Sequence, residues 1–94
     1  MNPTKQSIID AAYQIADEKG FTHVMRDDVA TRAGVASGSV NYYYSNMDSL
    51  RSAVMLRAVE EENVHIIAIG LAARHPVAMS APEGLRRAAL ETLM

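Results

Sequence analysis

Residues 37 to 44 read SGSVNYYY, a run of small hydroxyls, one amide and three phenols. Ser37, Ser39, Asn41 and Tyr42 offer small or planar hydrogen-bonding groups. An asparagine amide carries both the donor and the acceptor that pair with the adenine edge in a DNA major groove. Asn41 is therefore the leading base-reading candidate, and the plain alternative for it is a surface residue or a helix C-terminal cap. Gly38 would let a backbone approach a ligand closely, or serve packing alone. Val40 lacks this chemistry and is expected to turn toward a core. Successive helical residues point in different directions, so Tyr42, Tyr43 and Tyr44 need separate roles, with ordinary packing at a helix end as the alternative for all three.

A scaffold must hold these groups, and DDVATRAGVASGSVNYYYSNMDSL, residues 27 to 50, reads as helix, tight turn, short helix and the start of a third helix. Val29, Ala30 and Ala33 form a short apolar face, Gly34 suits the positive-φ position after a helix end, and Val35 can fold back onto the preceding helix. The next helix restarts near Ser37 and runs toward Tyr43. A turn this short holds two helices at a steep angle and exposes one face of the second, a shape that fits a major groove. Nucleic-acid binding is the first functional expectation.

Upstream, Ile8, Ala12, Ile15 and Ala16 recur at helical spacing, flanked by Ala11 and Lys19. Asn2 or Thr4 could cap this helix, Pro3 is tolerated near its start, and Gly20 stops it so that Phe21 can return to the apolar stripe. Together, IIDAAYQIADEKGF (8 to 21), VATRAGV (29 to 35), VNYYYSN (40 to 46) and Leu50 resemble, in order and spacing, the DNA-binding domain of TetR-family transcriptional repressors. The resemblance covers roughly the first sixty residues. It implies double-stranded DNA as partner and a DNA-binding set of Ser37, Gly38, Ser39, Asn41, Tyr42 and Tyr43. Within that set Tyr42 matches a groove-facing position and Tyr43 a phosphate-contacting one, while Tyr44 stands where the family more often buries a phenylalanine.

The chain departs from the family pattern at several positions. Met25 and Arg26 replace the usual hydroxyl cap and apolar residue at the start of the second helix, and neither Thr22 nor His23 restores the register. Asp27 stands where the family often carries a residue able to approach DNA. Asp27 and Asp28 suit a helix N-terminus but repel phosphates. Met47 replaces a lysine expected near a phosphate, although Ser45 or Asn46 can still cap the following helix. Residues 1 to 50 hold four basic side chains (Lys5, Lys19, Arg26, Arg32) against six acidic ones (Asp10, Asp17, Glu18, Asp27, Asp28, Asp48). Phosphate contacts ordinarily supply much of protein–DNA affinity, so an isolated domain with this balance should bind weakly unless dimerisation presents two copies.

From Leu50 onward, Val54, Leu56, Val59, Val64, Ile67 and Leu71 suggest one long helix, with Glu60, Glu61 and Glu62 on a solvated face. Gly70 and HPVAMSAP (75 to 82) are expected to end it and form a linker. LRRAALETLM (85 to 94) then reads as a short amphipathic helix with Leu85, Ala88, Ala89 and Leu93 able to pack. The expected fold is all-α: a three-helix bundle containing a helix-turn-helix, then a long helix and a short C-terminal one. Residues 1–50 would form the DNA-binding domain, and 51–94 a connecting helix with an incomplete helical regulatory or dimerisation region. Relative to the family, the chain ends where that region would still be under way. The resemblance therefore implies a homodimer in the complete protein and leaves any small-molecule effector to a region absent here.

With 94 residues and 49% hydrophobic composition, the chain can build one small helical domain or part of a larger one. The absence of cysteine excludes disulfides, thiolate chemistry and cysteine-based zinc sites. IIAIGLAA (66 to 73) is too short to span a bilayer, so no membrane association is expected and the cytoplasm is the default location. His23, His65 and His75 lack an acidic partner constellation; His65 beside Glu61 and Glu62 is better read as a surface histidine than as a metal ligand. No glycine-rich phosphate loop occurs, and neither an enzyme nor a cofactor is expected. The competing reading is a helical interaction or dimerisation module with weak or lost DNA binding.

Overall fold

The computed structural model describes residues 3–94, and all regular structure among them is helical. The helices are α1 (Pro3–Lys19), α2 (Arg26–Ala33), α3 (Ser37–Tyr43), α4 (Met47–Glu60), α5 (Val64–Ala72), α6 (Pro76–Met79) and α7 (Glu83–Glu91), with one 3-10 turn at Phe21–His23. The chain divides into two compact units, Met1–Val54 and Met55–Met94, the boundary falling within α4. Among the described residues no helix is long and apolar enough to cross a membrane.

In the first unit, α1 packs on α2 and α3, and α2 packs on α3. Ile8, Ala12, Ile15 and Ala16 are buried as their spacing predicts, and Ala11 joins them instead of flanking the stripe. The small alanines allow close helix approach, while Ile8 and Ile15 supply the apolar area that drives it. Thr4 lies inside α1 and not at its cap, and the alternative cap, Asn2, lies outside the described residues. Gly20, at φ 106°, ends the helix, and Phe21 is buried beyond it.

Helix α2 begins without a side-chain cap at Met25. Its end is orderly: Gly34 adopts φ 72°, the Val35 amide donates to the Ala30 carbonyl at 3.0 Å and the Gly34 amide to that of Thr31 at 3.2 Å. These are the paired bonds of a Schellman closure, which satisfy carbonyls that the helix end would leave orphaned. Val40 anchors α3 in the core. Asn46 caps α4, its Oδ1 accepting from the Ser49 amide at 2.8 Å. Arg51 then reaches from α4 to the carbonyl of buried Val24 at 3.1 Å, tying α4 to the segment that precedes α2.

The single long helix expected from Leu50 to Leu71 is two helices. α4 stops at Glu60, Glu62 takes the left-handed φ of 56°, and the amides of Glu62 and Asn63 donate to the carbonyls of Val59 at 3.2 Å and Ala58 at 2.8 Å. Asn63 then caps α5, its Oδ1 accepting from the Ile66 amide at 3.2 Å. A helix closure of this kind needs no glycine provided the following cap and packing offset the αL cost. Leu56, expected on the apolar stripe, is 51% exposed, and Met55 and Ala58 are buried in its place.

In the second unit, α5 packs against α6 and α7. Gly70 does not end α5 but lies within it, where a Cβ would collide with the Met55 side chain and stand 2.9 Å from the Ala78 Cβ. The actual stop follows Ala72, with Arg74 at φ 57° and the His75 amide donating to the Gly70 carbonyl at 2.8 Å. The expected linker contains α6, capped by His75, whose Nδ1 accepts from the Val77 amide at 3.2 Å. α7 begins two residues before the LRRAALETLM pattern and stops at Glu91, three residues short of its end. Ala89 is buried and Leu85 half-buried, whereas Ala88 and Leu93 are exposed.

Candidate nucleic-acid interface

Helix α3 spans the run from Ser37 to Tyr43, and its side chains separate by register. Val40 is 1% exposed, Asn41 is exposed and Tyr42 is 82% exposed, while Ser37, Ser39 and Tyr43 are half-buried. Neither the Asn41 amide nor the Ser39 hydroxyl has a polar partner among the described residues. A Cβ built on Gly38 meets no atom within 4 Å, so packing within this chain does not require glycine there.

The tyrosines divide into three environments. Tyr42 and Tyr43 meet edge to face, with centroids 4.9 Å apart and planes at 88°, an arrangement favoured by the aromatic quadrupole. Tyr44 follows α3 in extended conformation, half-buried, and burial raises its phenol above the ordinary value of 10.0. The Lys5 ammonium stands over the Tyr44 ring at 5.6 Å from the centroid. This cation–π contact brings the N-terminal turn of α1 to the end of α3. Reading the sequence did not single out Lys5, because nothing local to residue 5 signals a partner so far along the chain.

Asp27 proves to be more than an acidic residue in the first turn of α2. Its Oδ1 accepts a hydrogen bond from the Ser37 hydroxyl at 3.0 Å, joining the two helices at the turn between them. No other polar contact involves the Asp27 side chain, and Asp28 has none, among the described residues. Several cations of this unit are already engaged. Arg32 pairs with Glu18 at 2.6 Å, and Arg51 lies 3.5 Å from Asp48 besides bonding the Val24 carbonyl. Arg26 and Lys19 make no ion pair among the described residues. Met47, at the lysine position of the family pattern, opens α4 and is half-buried.

A family model described as bacterial regulatory proteins, tetR family, matches residues 8–54, half of the chain. The chain belongs to the tetR family of bacterial regulatory proteins. The matched residues run from the first core isoleucine of α1 to Val54 in α4, and so take in the whole helix-turn-helix of this family member. No curated protein and no solved structure shows significant similarity to the chain.

The histidines do not form a centre. His75 caps α6, His65 is exposed on α5, and among the described residues no group of three or more His, Cys, Asp or Glu side chains could hold a metal.

Proposed function

We propose that the protein is a transcriptional regulator, a repressor that binds double-stranded operator DNA as a homodimer. In this reading residues 1–50 form the DNA-binding domain, and residues 51–94 form a connecting helix and helices of a regulatory or dimerisation region. The observation that carries it is the register of α3: buried Val40 anchors the helix, while Asn41 and Tyr42 stand exposed. Ser37, Gly38, Ser39, Asn41, Tyr42 and Tyr43 are the proposed contacts. Asn41 reads a base edge, Tyr42 faces the groove and Tyr43 approaches a phosphate.

Binding to the DNA upstream of its own gene, measured against scrambled duplex across a salt series, tests this reading. Asn41→Ala should cost about 1–3 kcal/mol of discrimination, the usual worth of a bidentate base contact. Tyr43→Ala should weaken cognate and scrambled binding alike. Equal, undetectable binding to both duplexes by the unaltered chain would remove DNA reading.

A second reading is an interaction module, favoured by the exposure of Leu56, Met79, Leu90 and Leu93 and by the carboxylates of Asp27 and Asp28, which pair with no cation among the described residues. Burial of such side chains against another helix would replace phosphate attraction as the source of affinity. Sedimentation separates the two: a stable dimer that forms no complex with DNA favours the interaction role, and a specific complex with a cognate duplex rejects it.

A further inference from the structure

The contact between Asp27 and Ser37 bears on which bases α3 can accept. A serine hydroxyl has one proton and two lone pairs, whereas an ionised carboxylate has lone pairs only. The 3.0 Å bond therefore has one direction, from the Ser37 Oγ–H to Asp27 Oδ1. No cation or other polar group competes for the Asp27 carboxylate among the described residues. Ser37, half-exposed at the first position of α3, is left with acceptor capacity alone.

In the major groove only adenine N6 and cytosine N4 offer donors, while guanine O6 and N7 and thymine O4 are acceptors. A free serine rotates to suit either kind. One whose proton is held cannot, because only its lone pairs remain to meet a base. Resting on the DNA-reading function above, we propose that Asp27 is a specificity-determining residue that acts through Ser37: by holding the hydroxyl proton it makes Ser37 an obligate acceptor and selects adenine or cytosine at the base Ser37 faces.

Selection of bound duplexes from a randomised pool, carried out with the full chain and its Asp27→Ala, Asp27→Asn and Ser37→Ala variants, tests this. The unaltered chain should enrich adenine or cytosine at one position. Asp27→Ala should lower that preference roughly tenfold, as expected for one lost hydrogen-bond constraint, and leave preferences elsewhere intact. Loss of the charge by itself would raise affinity for all bases together, so the ratio between bases isolates the hydroxyl effect. Ser37→Ala should relax the same position, and the double variant should go no further than either single one.

Asp27→Asn is isosteric and should relax the preference less than Asp27→Ala, because its amide either keeps accepting the hydroxyl proton through Oδ1 or turns a donor toward Oγ. Far-ultraviolet circular dichroism verifies the fold of each variant, and both residues lie outside the core. If the unaltered chain enriches a sequence but the Asp27 variants keep its full base profile, or if guanine or thymine is preferred at the Ser37-dependent position, the inference is overturned and the DNA-reading function stands. If the unaltered chain enriches no sequence, the DNA-reading function fails and the inference fails with it.

Discussion

The unit ending at Val54 and the unit beginning at Met55 close their helices with the same hydrogen-bond pattern but different residues. After α2 the left-handed position is Gly34; after α4 and α5 it is Glu62 and Arg74. Their use of glycine within helices differs as well. Gly38, in the first unit, and Gly84, in the second, look onto open space, whereas Gly70, also in the second, is pressed against Met55 and Ala78. The first unit thus takes its glycines for backbone shape and solvent access, and the second uses one to bring helices together. A glycine is informative only once its φ and its neighbours are known.

Substituting alanine at Gly38 and at Gly70 gives the sharpest test of that contrast. Gly70→Ala should destabilise the protein by about 1–3 kcal/mol, because Ala78 offers a Cβ with no rotamer to move and Met55 must repack. Gly38→Ala should instead stabilise it by roughly 0.5–1 kcal/mol through helix propensity. Urea unfolding midpoints measure both, and equal shifts at the two positions would erase the distinction.

The helix closures differ in the same testable way. Gly34→Ala should cost about 1–2 kcal/mol by forcing a Cβ into the left-handed region. Glu62→Gly should move thermal stability in the opposite direction, by somewhat less than about 1 kcal/mol, since relief of the αL cost is partly offset by added freedom in the unfolded chain. A loss of stability in Glu62→Gly would show that the glutamate side chain matters more to this turn than its backbone strain.

The smallest expected effect is confined to alkaline pH and to the first unit. Burial raises the Tyr44 phenol in the folded protein, so the unfolded chain loses that proton first. The resulting contribution is fully present below the ordinary value of 10.0 and is lost as pH rises from there through the folded value. Tyr44→Phe should flatten this alkaline limb of the stability–pH curve and leave neutral-pH unfolding nearly unchanged. An identical limb in the variant would assign the loss to other groups.

Much of the first unit was legible in the chain. The Ile8, Ala12, Ile15 and Ala16 spacing, the Gly20 and Gly34 stops and the span of α3 all follow from local rules, because helix periodicity and positive-φ glycines leave marks in sequence. The second unit hid its breaks. Glu62 and Arg74 are not residues whose type announces a left-handed turn, and the apolar periodicity runs on through Val59, Val64 and Ile67 without registering it. Asn63, a capping residue just after an acidic run, is the one local mark of the break, and the apolar pattern runs past it. His75 was similarly a cap in a stretch that reads as linker.

The candidate site divides along the same line. Which groups stand on α3, and that Val40 differs from its neighbours, follow from residue type and helical period. That Lys5 meets the Tyr44 ring, and that Ser37 gives its proton to Asp27, depend on how α1 and α2 approach α3. Local sequence determines helix phase because each residue's preference is expressed within one or two turns. A hydroxyl's hydrogen-bond partner is decided by a through-space approach of a few ångströms between separate helices, and only the folded chain specifies it.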